Sequence, residues 1–143
     1  MNRASRRASA LHRIKLPRQQ VSSSIDVKHT PAKLAALMEP YARHVLVCVG
    51  SFCSPHREGR MLYAELARLL QREGLLFGPK RIKRGETPCL GVCVGGPIVV
   101  VYPEGVWYAG VTSALLERIV VEHLRDGHVV EEAVFHRIAD GRP

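Results

Sequence analysis

The four cysteines of this chain form two close pairs, and no other feature constrains its fold as strongly. Cys48 and Cys53 enclose four residues, Cys89 and Cys93 enclose three, and 35 residues lie between the pairs. Each pair lies in or beside a loop that follows a strand-like run of residues. Four thiolates that converge from two loops are suitable ligands for a soft metal centre. The fold must therefore bring two distant loops to one place.

Length and composition favour a single folded domain. A chain of 143 residues suits one hydrophobic core, and its 46% apolar and 24% charged residues are ordinary for a globular protein. No apolar run approaches the ~20 residues that a membrane-spanning helix needs. We therefore expect no membrane span.

The basic residues are concentrated near the start of the chain. Residues 1–43 contain nine Lys or Arg and two acidic residues, whereas the remainder is close to neutral. Residues 1–30 are predicted to form a basic, disordered arm, because such a composition buries too little apolar surface to fold. This composition also fits an organellar transit peptide; otherwise we expect a cytoplasmic protein. Nucleic-acid binding is not expected, because the arm lacks interleaved aromatic residues.

The rest of the chain divides into a connecting segment and a folded domain. Residues 31–43 are predicted to be a short helix or linker, and residues 44–143 to be the domain. Apolar periodicity and Gly or Pro boundaries define its elements. The predicted elements are a strand at 44–50, a helix from Ser54-Pro55 to Gly74, a strand at 81–84, a hairpin at 97–109, a helix from Thr112 or Ser113 to Gly127, and a C-terminal helical extension at 129–138.

This order of elements predicts the topology of the sheet. The crossover helix makes the first two strands parallel, and the hairpin adds an antiparallel pair. The expected fold is α/β: a mixed four-stranded sheet of order β-α-β-β-β-α along the chain, with flanking helices. Such an arrangement is consistent with a thioredoxin-like sandwich.

Several kinds of site could use these cysteines. A disulfide framework has little support, because no secretory signal is recognisable and a core of this size does not need one. Thiol–disulfide catalysis normally uses Cys-x-x-Cys after the first strand, whereas Cys48 and Cys53 are farther apart. Structural zinc stays open, although zinc knuckles more often have two residues between ligands.

An iron–sulfur cluster explains more of the pattern. A [2Fe–2S] centre takes four thiolates, two for each iron, and two chelating loops supply them. Gly91, Gly95 and Gly96 would let backbone N–H groups approach the sulfurs of the second pair. Ordinary loop geometry explains each of these glycines equally well when it is taken alone.

At these residues the chain resembles a known family. The cysteine spacing, Val45–Cys48, Cys89–Cys93 with Gly96-Pro97 behind it, and the hairpin Tyr102–Tyr108 resemble the thioredoxin-like [2Fe–2S] ferredoxins. They are equally similar to the related cluster-bearing electron-input subunit of respiratory NADH dehydrogenases. The resemblance covers about residues 44–130.

This resemblance implies a one-electron carrier whose [2Fe–2S] cluster is bound by Cys48, Cys53, Cys89 and Cys93. It also implies redox partner proteins, either reductases or oxidoreductase subunits, and frequently a homodimer. Residues 1–43 are shorter and more polar than the helical portion that precedes this domain in the respiratory subunit, which favours a free ferredoxin. Some members place the second ligand farther along a longer loop.

Two alternative functions stay open. The chain could be the [2Fe–2S] subunit of a larger NADH-dehydrogenase- or hydrogenase-like oxidoreductase, or, in a different class, a zinc-stabilised binding module. No nucleophile–base pair or phosphate-binding loop is evident in the sequence. An independent enzyme is therefore not expected.

Two further features have a plain interpretation beside a functional one. His56 could replace a cysteine ligand, but with four cysteines present a solvent-facing histidine is the simpler interpretation. The basic stretch Lys80–Arg84 could attract an acidic redox partner. A solvated edge strand is the simpler account of it.

Overall fold

The computed structural model describes residues 37–138, and the helices and strands of this part of the chain lie within the compact unit Met38–Pro143. The predicted arm, 1–30, lies outside the described residues, as does the first part of the predicted connecting segment. The part of that segment that is described, residues 37–42, has no regular secondary structure. Pro40 accounts for this, because a proline disfavours the helical conformation of the residue before it.

The sheet has five strands rather than the four predicted from the sequence. Its strand order is β2-β1-β3-β4-β5, with β1 and β2 parallel and the other neighbours antiparallel. The predicted mixed sheet is therefore confirmed, and the predicted number of strands is wrong. The strands are β1 (Arg43–Cys48), β2 (Ile82–Thr87), β3 (Val99–Tyr102), β4 (Val106–Tyr108) and β5 (Val134–Arg137).

A short 3₁₀ helix (Glu131–Ala133) and the extra strand replace the C-terminal helical extension, so that prediction is wrong. The apolar residues at Val130, Val134 and Ile138 have helical spacing, but β4 offers an unpaired edge to this segment. β5 pairs along that edge, with His136 opposite Trp107. Non-local pairing satisfies the backbone groups of β4, and here it outweighs the local periodicity.

Two helices complete the fold. α1 is Glu58–Arg72, and it begins about one turn after the predicted Ser54-Pro55 start. α2 is Ser113–Arg118, capped as predicted by the Thr112 hydroxyl, which accepts a hydrogen bond from Leu115 N–H at 3.2 Å. A π-helical segment continues α2 over Ile119–Arg125. Within residues 37–138 no helix combines the length and apolarity needed to cross a membrane.

The two faces of the sheet are covered differently. The larger core lies between one face and the helices, where every fourth or third residue of α1 is buried. The α1 residues in this core are Leu62, Leu66, Leu69 and Leu70. Burial of each of these leucine side chains stabilises the fold by about 1.5–3 kcal/mol. On the opposite face a smaller cluster contains Cys48, Cys53, Ile98 and Val100. Cys48 and Cys53 therefore belong to the face of the sheet that does not carry the main core.

A buried polar network links the π-helical segment to the β3–β4 hairpin. His123 is fully buried, and its Nδ1 lies 2.8 Å from the Tyr108 hydroxyl. That hydroxyl also accepts a hydrogen bond from Val130 N–H at 3.3 Å. On its other side, Nε2 of His123 lies 3.9 Å from Glu104, which pairs with Arg43 at 2.5 Å. Burial lowers the pKa of His123, so the imidazole is held neutral.

We expect the protein to lose stability as the pH falls below about 6.5, the ordinary pKa of histidine. Below that pH the unfolded chain takes up a proton at His123 while the native state does not, so protonation favours unfolding. The thermal midpoint by circular dichroism should fall, at about 4–8 °C per kcal/mol of stability lost. His123→Gln should show a smaller fall, because glutamine does not titrate and can still accept from Tyr108.

The matched control is His128→Gln, because His128 is exposed. That variant should keep the pH dependence of the original protein. An unchanged pH dependence in His123→Gln would contradict a role for the buried imidazole.

Candidate metal centre

Parallel pairing of β1 and β2 brings the two pairs of cysteines to one edge of the sheet. Cys48 is the last residue of β1 and lies opposite Thr87, the last residue of β2. Cys89 follows only two residues later. Parallel strands end at the same edge, so the loops that follow them must meet there. We call the loop at residues 49–57 the first loop and the loop at residues 88–98 the second loop.

Backbone hydrogen bonds fix Cys48 between both neighbouring strands. Its N–H donates to the Ile98 carbonyl at 3.0 Å, and the next N–H, of Val49, donates to Thr87 at 2.9 Å. The buried Ser54 hydroxyl donates to the Cys48 carbonyl at 3.4 Å. Cys48 is thus held rigidly by the sheet, and the rest of the site is assembled around it.

The four cysteines differ in their access to solvent. Cys48 and Cys53 are buried, whereas Cys89 and Cys93 are exposed. A surface cavity of about 530 Å³ opens between the loops, and its wall includes Cys53, Cys89 and Cys93. All four are free thiols. The site therefore has one pair on the protein side and one on the solvent side.

Two contacts involve sulfur directly. The Gly91 N–H donates to Cys89 Sγ at 3.2 Å, within the second loop. The Cys53 thiol donates to the Val92 carbonyl at 2.7 Å, which joins the two loops. A backbone N–H aimed at a cysteine sulfur is what a thiolate ligand requires, because it stabilises the negative charge on sulfur.

Close backbone approach explains two of the glycines at the site. A Cβ at Gly96 would lie 2.2 Å from the Cys53 carbonyl oxygen, and a Cβ at Gly50 would lie 2.1 Å from the Pro88 carbonyl oxygen. Each glycine therefore lets one loop touch the backbone of the other. Gly91 and Gly95 meet no atom within 4 Å of such a Cβ and have φ of 78° and 77°. They shape the turns of the second loop.

A further glycine, Gly59 in the first turn of α1, makes a close approach that the sequence pattern did not assign to the site. A Cβ there would lie 2.2 Å from the Cys48 carbonyl oxygen. The helix can thus begin directly against the end of β1. A glycine inside an otherwise helical pattern was the available signal, since it commonly marks close packing.

The thiols influence one another electrostatically. Burial raises the pKa of Cys53 to about 12. Hydrogen bonding to Cys48 and the charge of Cys48 add to this rise, followed by the charges of Cys93 and Cys89. Burial, together with the charge of Cys89 and hydrogen bonding to it, raises the pKa of Cys93. Four thiolates this close repel unless a cation accompanies them.

The structure brings together all four predicted cysteines, Cys48, Cys53, Cys89 and Cys93, and their role as ligands stays a prediction. His56 is exposed, and its backbone N–H rather than its ring contacts Glu58. Among residues 37–138, no group of three His, Cys, Asp or Glu side chains is placed to hold a single metal ion.

Known proteins are similar to this chain in both sequence and fold. A 2Fe-2S ferredoxin of Aquifex aeolicus (strain VF5) is 35% identical over 108 residues, which are 71% of this chain and 93% of that protein. The structure of a thioredoxin-like [2Fe–2S] ferredoxin from Aquifex aeolicus matches 73% of this chain and 96% of its own, with 32% identity and a TM-score of 0.57. This chain belongs to the thioredoxin-like [2Fe–2S] ferredoxins. The predicted family and fold are confirmed.

Two further relatives of this chain agree with the family assignment. A 2Fe-2S ferredoxin of Clostridium pasteurianum is 58% identical over 46 residues, which are 32% of this chain and 45% of that protein. A putative 2Fe-2S ferredoxin of Priestia megaterium is 32% identical over 93 residues, or 65% of this chain and 69% of that protein. No protein-family model matches the chain.

The residues of the ferredoxin fit a two-iron cluster. They supply four thiols in two pairs and a hydrogen bond from a backbone N–H to Cys89 Sγ. At Gly96 they also leave a space beside the backbone of Cys53 that a Cβ would fill. Thiolate sulfur is the donor that iron–sulfur centres use.

Gly96→Ala should lower the free energy of unfolding by about 1–3 kcal/mol, the usual cost of overpacking. The added methyl group would collide with the backbone of Cys53, which cannot move without displacing the first loop. Urea denaturation followed by circular dichroism measures the change.

The matched control is Gly85→Ala. Its added Cβ would lie 3.0 Å from Leu46 Cδ2, the movable end of a side chain, so a smaller loss is expected. Equal losses in the two variants would argue against a tight backbone contact at Gly96.

Proposed function

We propose that this ferredoxin is a one-electron carrier whose [2Fe–2S] cluster is bound by Cys48, Cys53, Cys89 and Cys93. The observation that carries the proposal is the parallel register of β1 and β2, which places Cys48 opposite Thr87 and so next to the second loop. The cluster supplies a centre that accepts and releases single electrons. The protein holds it, screens one side of it and orients it toward solvent.

We assign one pair of cysteines to each iron. Cys48 and Cys53 would bind the inner iron, and Cys89 and Cys93 the outer iron. The short separation within each pair, with four and three intervening residues, supports this assignment. The burial of the first pair and the exposure of the second support the terms inner and outer.

The second loop contributes more than ligands. Gly91 N–H donates to Cys89 Sγ, and this hydrogen bond would stabilise extra negative charge after reduction. Hydrogen bonds to sulfur and exposure to solvent are the principal means by which a protein sets the potential of such a cluster. The second loop has both features, because Cys89 Sγ accepts a hydrogen bond and Cys89 and Cys93 are exposed.

The freshly purified protein should be brown and should contain two iron and two sulfide per chain. Dithionite should bleach its visible spectrum and produce an EPR signal. Cys48→Ser, Cys53→Ser, Cys89→Ser and Cys93→Ser should each lower the iron content or change the EPR spectrum, because each removes one thiolate. The matched control is Ser51→Ala in the first loop, which removes a hydroxyl and no sulfur.

The alternatives would give different results. Zinc without iron or labile sulfide would identify a zinc-stabilised binding module and would overturn the proposal. An unchanged EPR spectrum in one serine variant would remove that cysteine from the ligand set. Recovery of the holoprotein only with a larger oxidoreductase would favour the subunit of a complex over a free ferredoxin.

The protein's partners follow from the same proposal. A carrier of single electrons needs a donor and an acceptor protein, either a reductase or an oxidoreductase subunit. We place the protein in the cytoplasm, where cysteine thiols stay reduced. The alternative organellar location depends on residues 1–30, which lie outside the described structure.

We also propose a homodimer. Light scattering after size exclusion should give twice the chain mass of 15.9 kDa. The mass should stay the same when the cluster is reduced, because one added electron leaves the fold intact. A single-chain mass over a range of protein concentrations would contradict a dimer.

A further inference from the structure

Two large apolar side chains next to the cysteines are exposed to solvent. Phe52 immediately precedes Cys53 and is 84% exposed; Val94 immediately follows Cys93 and is 85% exposed. Neither packs in the core clusters of residues 37–138. Apolar side chains presented in this way on both loops of one site are typical of an interaction surface.

Two arginines border the same site. Arg57 and Arg60 line the cavity together with Cys53, Cys89 and Cys93. No carboxylate within residues 37–138 pairs with Arg57, and Arg60 has only a long contact of 3.7 Å with Glu86 in which both side chains are well exposed. An ion pair of that kind contributes little, so the positive charge of both arginines is available.

The backbone of Arg57 is unusual. It has φ 67° and ψ 18°, the left-handed conformation that favours glycine, and it is the only residue other than glycine with positive φ among those described. Such a conformation is strained for a residue other than glycine and tends to occur at functional sites. Asparagine would adopt it more readily. A large cation therefore occupies a position where the backbone favours a smaller residue.

Three cations of the basic stretch Lys80–Arg84 are already engaged. Arg84 lies over the Tyr63 ring at 4.4 Å, Lys83 lies over Tyr41 at 5.0 Å, and Arg81 pairs with Glu39 at 2.7 Å. The basic stretch Lys80–Arg84 is therefore partly occupied by contacts within the chain. Arg57 and Arg60 differ from it in being both available and next to the cysteines.

We propose that Phe52, Arg57, Arg60 and Val94 form the docking surface for an acidic redox partner. We call these four residues the docking patch. The apolar pair would meet an apolar centre on the partner, and the arginines would meet its surrounding carboxylates. This inference rests on the proposed electron-carrier function, since it gives the cluster a partner of stated chemistry.

The two arginines favour an acidic partner and counter the charge of the cluster. Two ferric ions, two sulfides and four thiolates carry a total charge of −2, which becomes −3 after reduction and would repel a carboxylate-rich surface. The two arginines oppose that repulsion where the partner must approach. Charges at the rim of an interface raise the association rate most strongly at low ionic strength. Docking makes and breaks no bond: one electron leaves the reduced protein and enters the oxidised partner.

The test uses two haem proteins of opposite charge as electron acceptors. Dithionite-reduced protein is mixed by stopped flow with oxidised cytochrome b5, which is acidic, or with mitochondrial cytochrome c, which is basic. The acidic acceptor should react faster at low ionic strength, and salt should slow that reaction. The double variant Arg57→Asn/Arg60→Gln should slow it about tenfold, an effect typical of steering by charge.

The apolar half of the docking patch has its own variants. Phe52→Ser and Val94→Ser should weaken equilibrium binding to immobilised cytochrome b5, measured by biolayer interferometry. Arg68→Gln and Phe77→Ser are the matched controls, because both side chains are exposed and belong to other parts of the surface. Their rates and dissociation constants should stay within about twofold of the original protein.

Several outcomes would overturn the inference. No preference between the two cytochromes, or equal effects in patch and control variants, would show that the docking patch is not an acidic-partner site. Loss of the dimer in Phe52→Ser or Val94→Ser would make the patch a contact between copies of this chain. A protein without iron would end the proposed function instead, and the binding measurements would still test the patch independently.

Discussion

The site depends on the parallel pairing of β1 with β2. Because the register places Cys48 opposite Thr87, the chain reaches Cys89 almost beside the end of β1. The helix between the two strands makes this arrangement possible, since parallel neighbours need a crossover. The backbone hydrogen bonds of the sheet thus make neighbours of two cysteine pairs that are 35 residues apart in sequence.

The remaining parts of the site adapt the loops to that arrangement. Gly50 and Gly96 let the loops touch backbone to backbone, and Gly59 lets α1 begin against the end of β1. The thiol of Cys53 then bonds to the Val92 carbonyl across the contact.

Much of this was predictable from local patterns. The β-branched run before Cys48, the apolar spacing of α1 and the Thr112 cap each determine an element from neighbouring residues. β5 was not predictable in this way, because the spacing of Val134 and Ile138 fits a helix and only the open edge of β4 makes the segment a strand. The roles of the glycines likewise depend on where the loops meet, which no local pattern reveals.

The unequal exposure of the sulfurs has a chemical consequence. In a chain without its iron, a dissolved oxidant meets Cys89 and Cys93 first, while Cys48 and Cys53 are screened by the protein. Susceptibility of a thiol to oxidation follows its accessibility. Oxidative damage should therefore accumulate on the outer pair, leaving an intact scaffold that can no longer be reloaded.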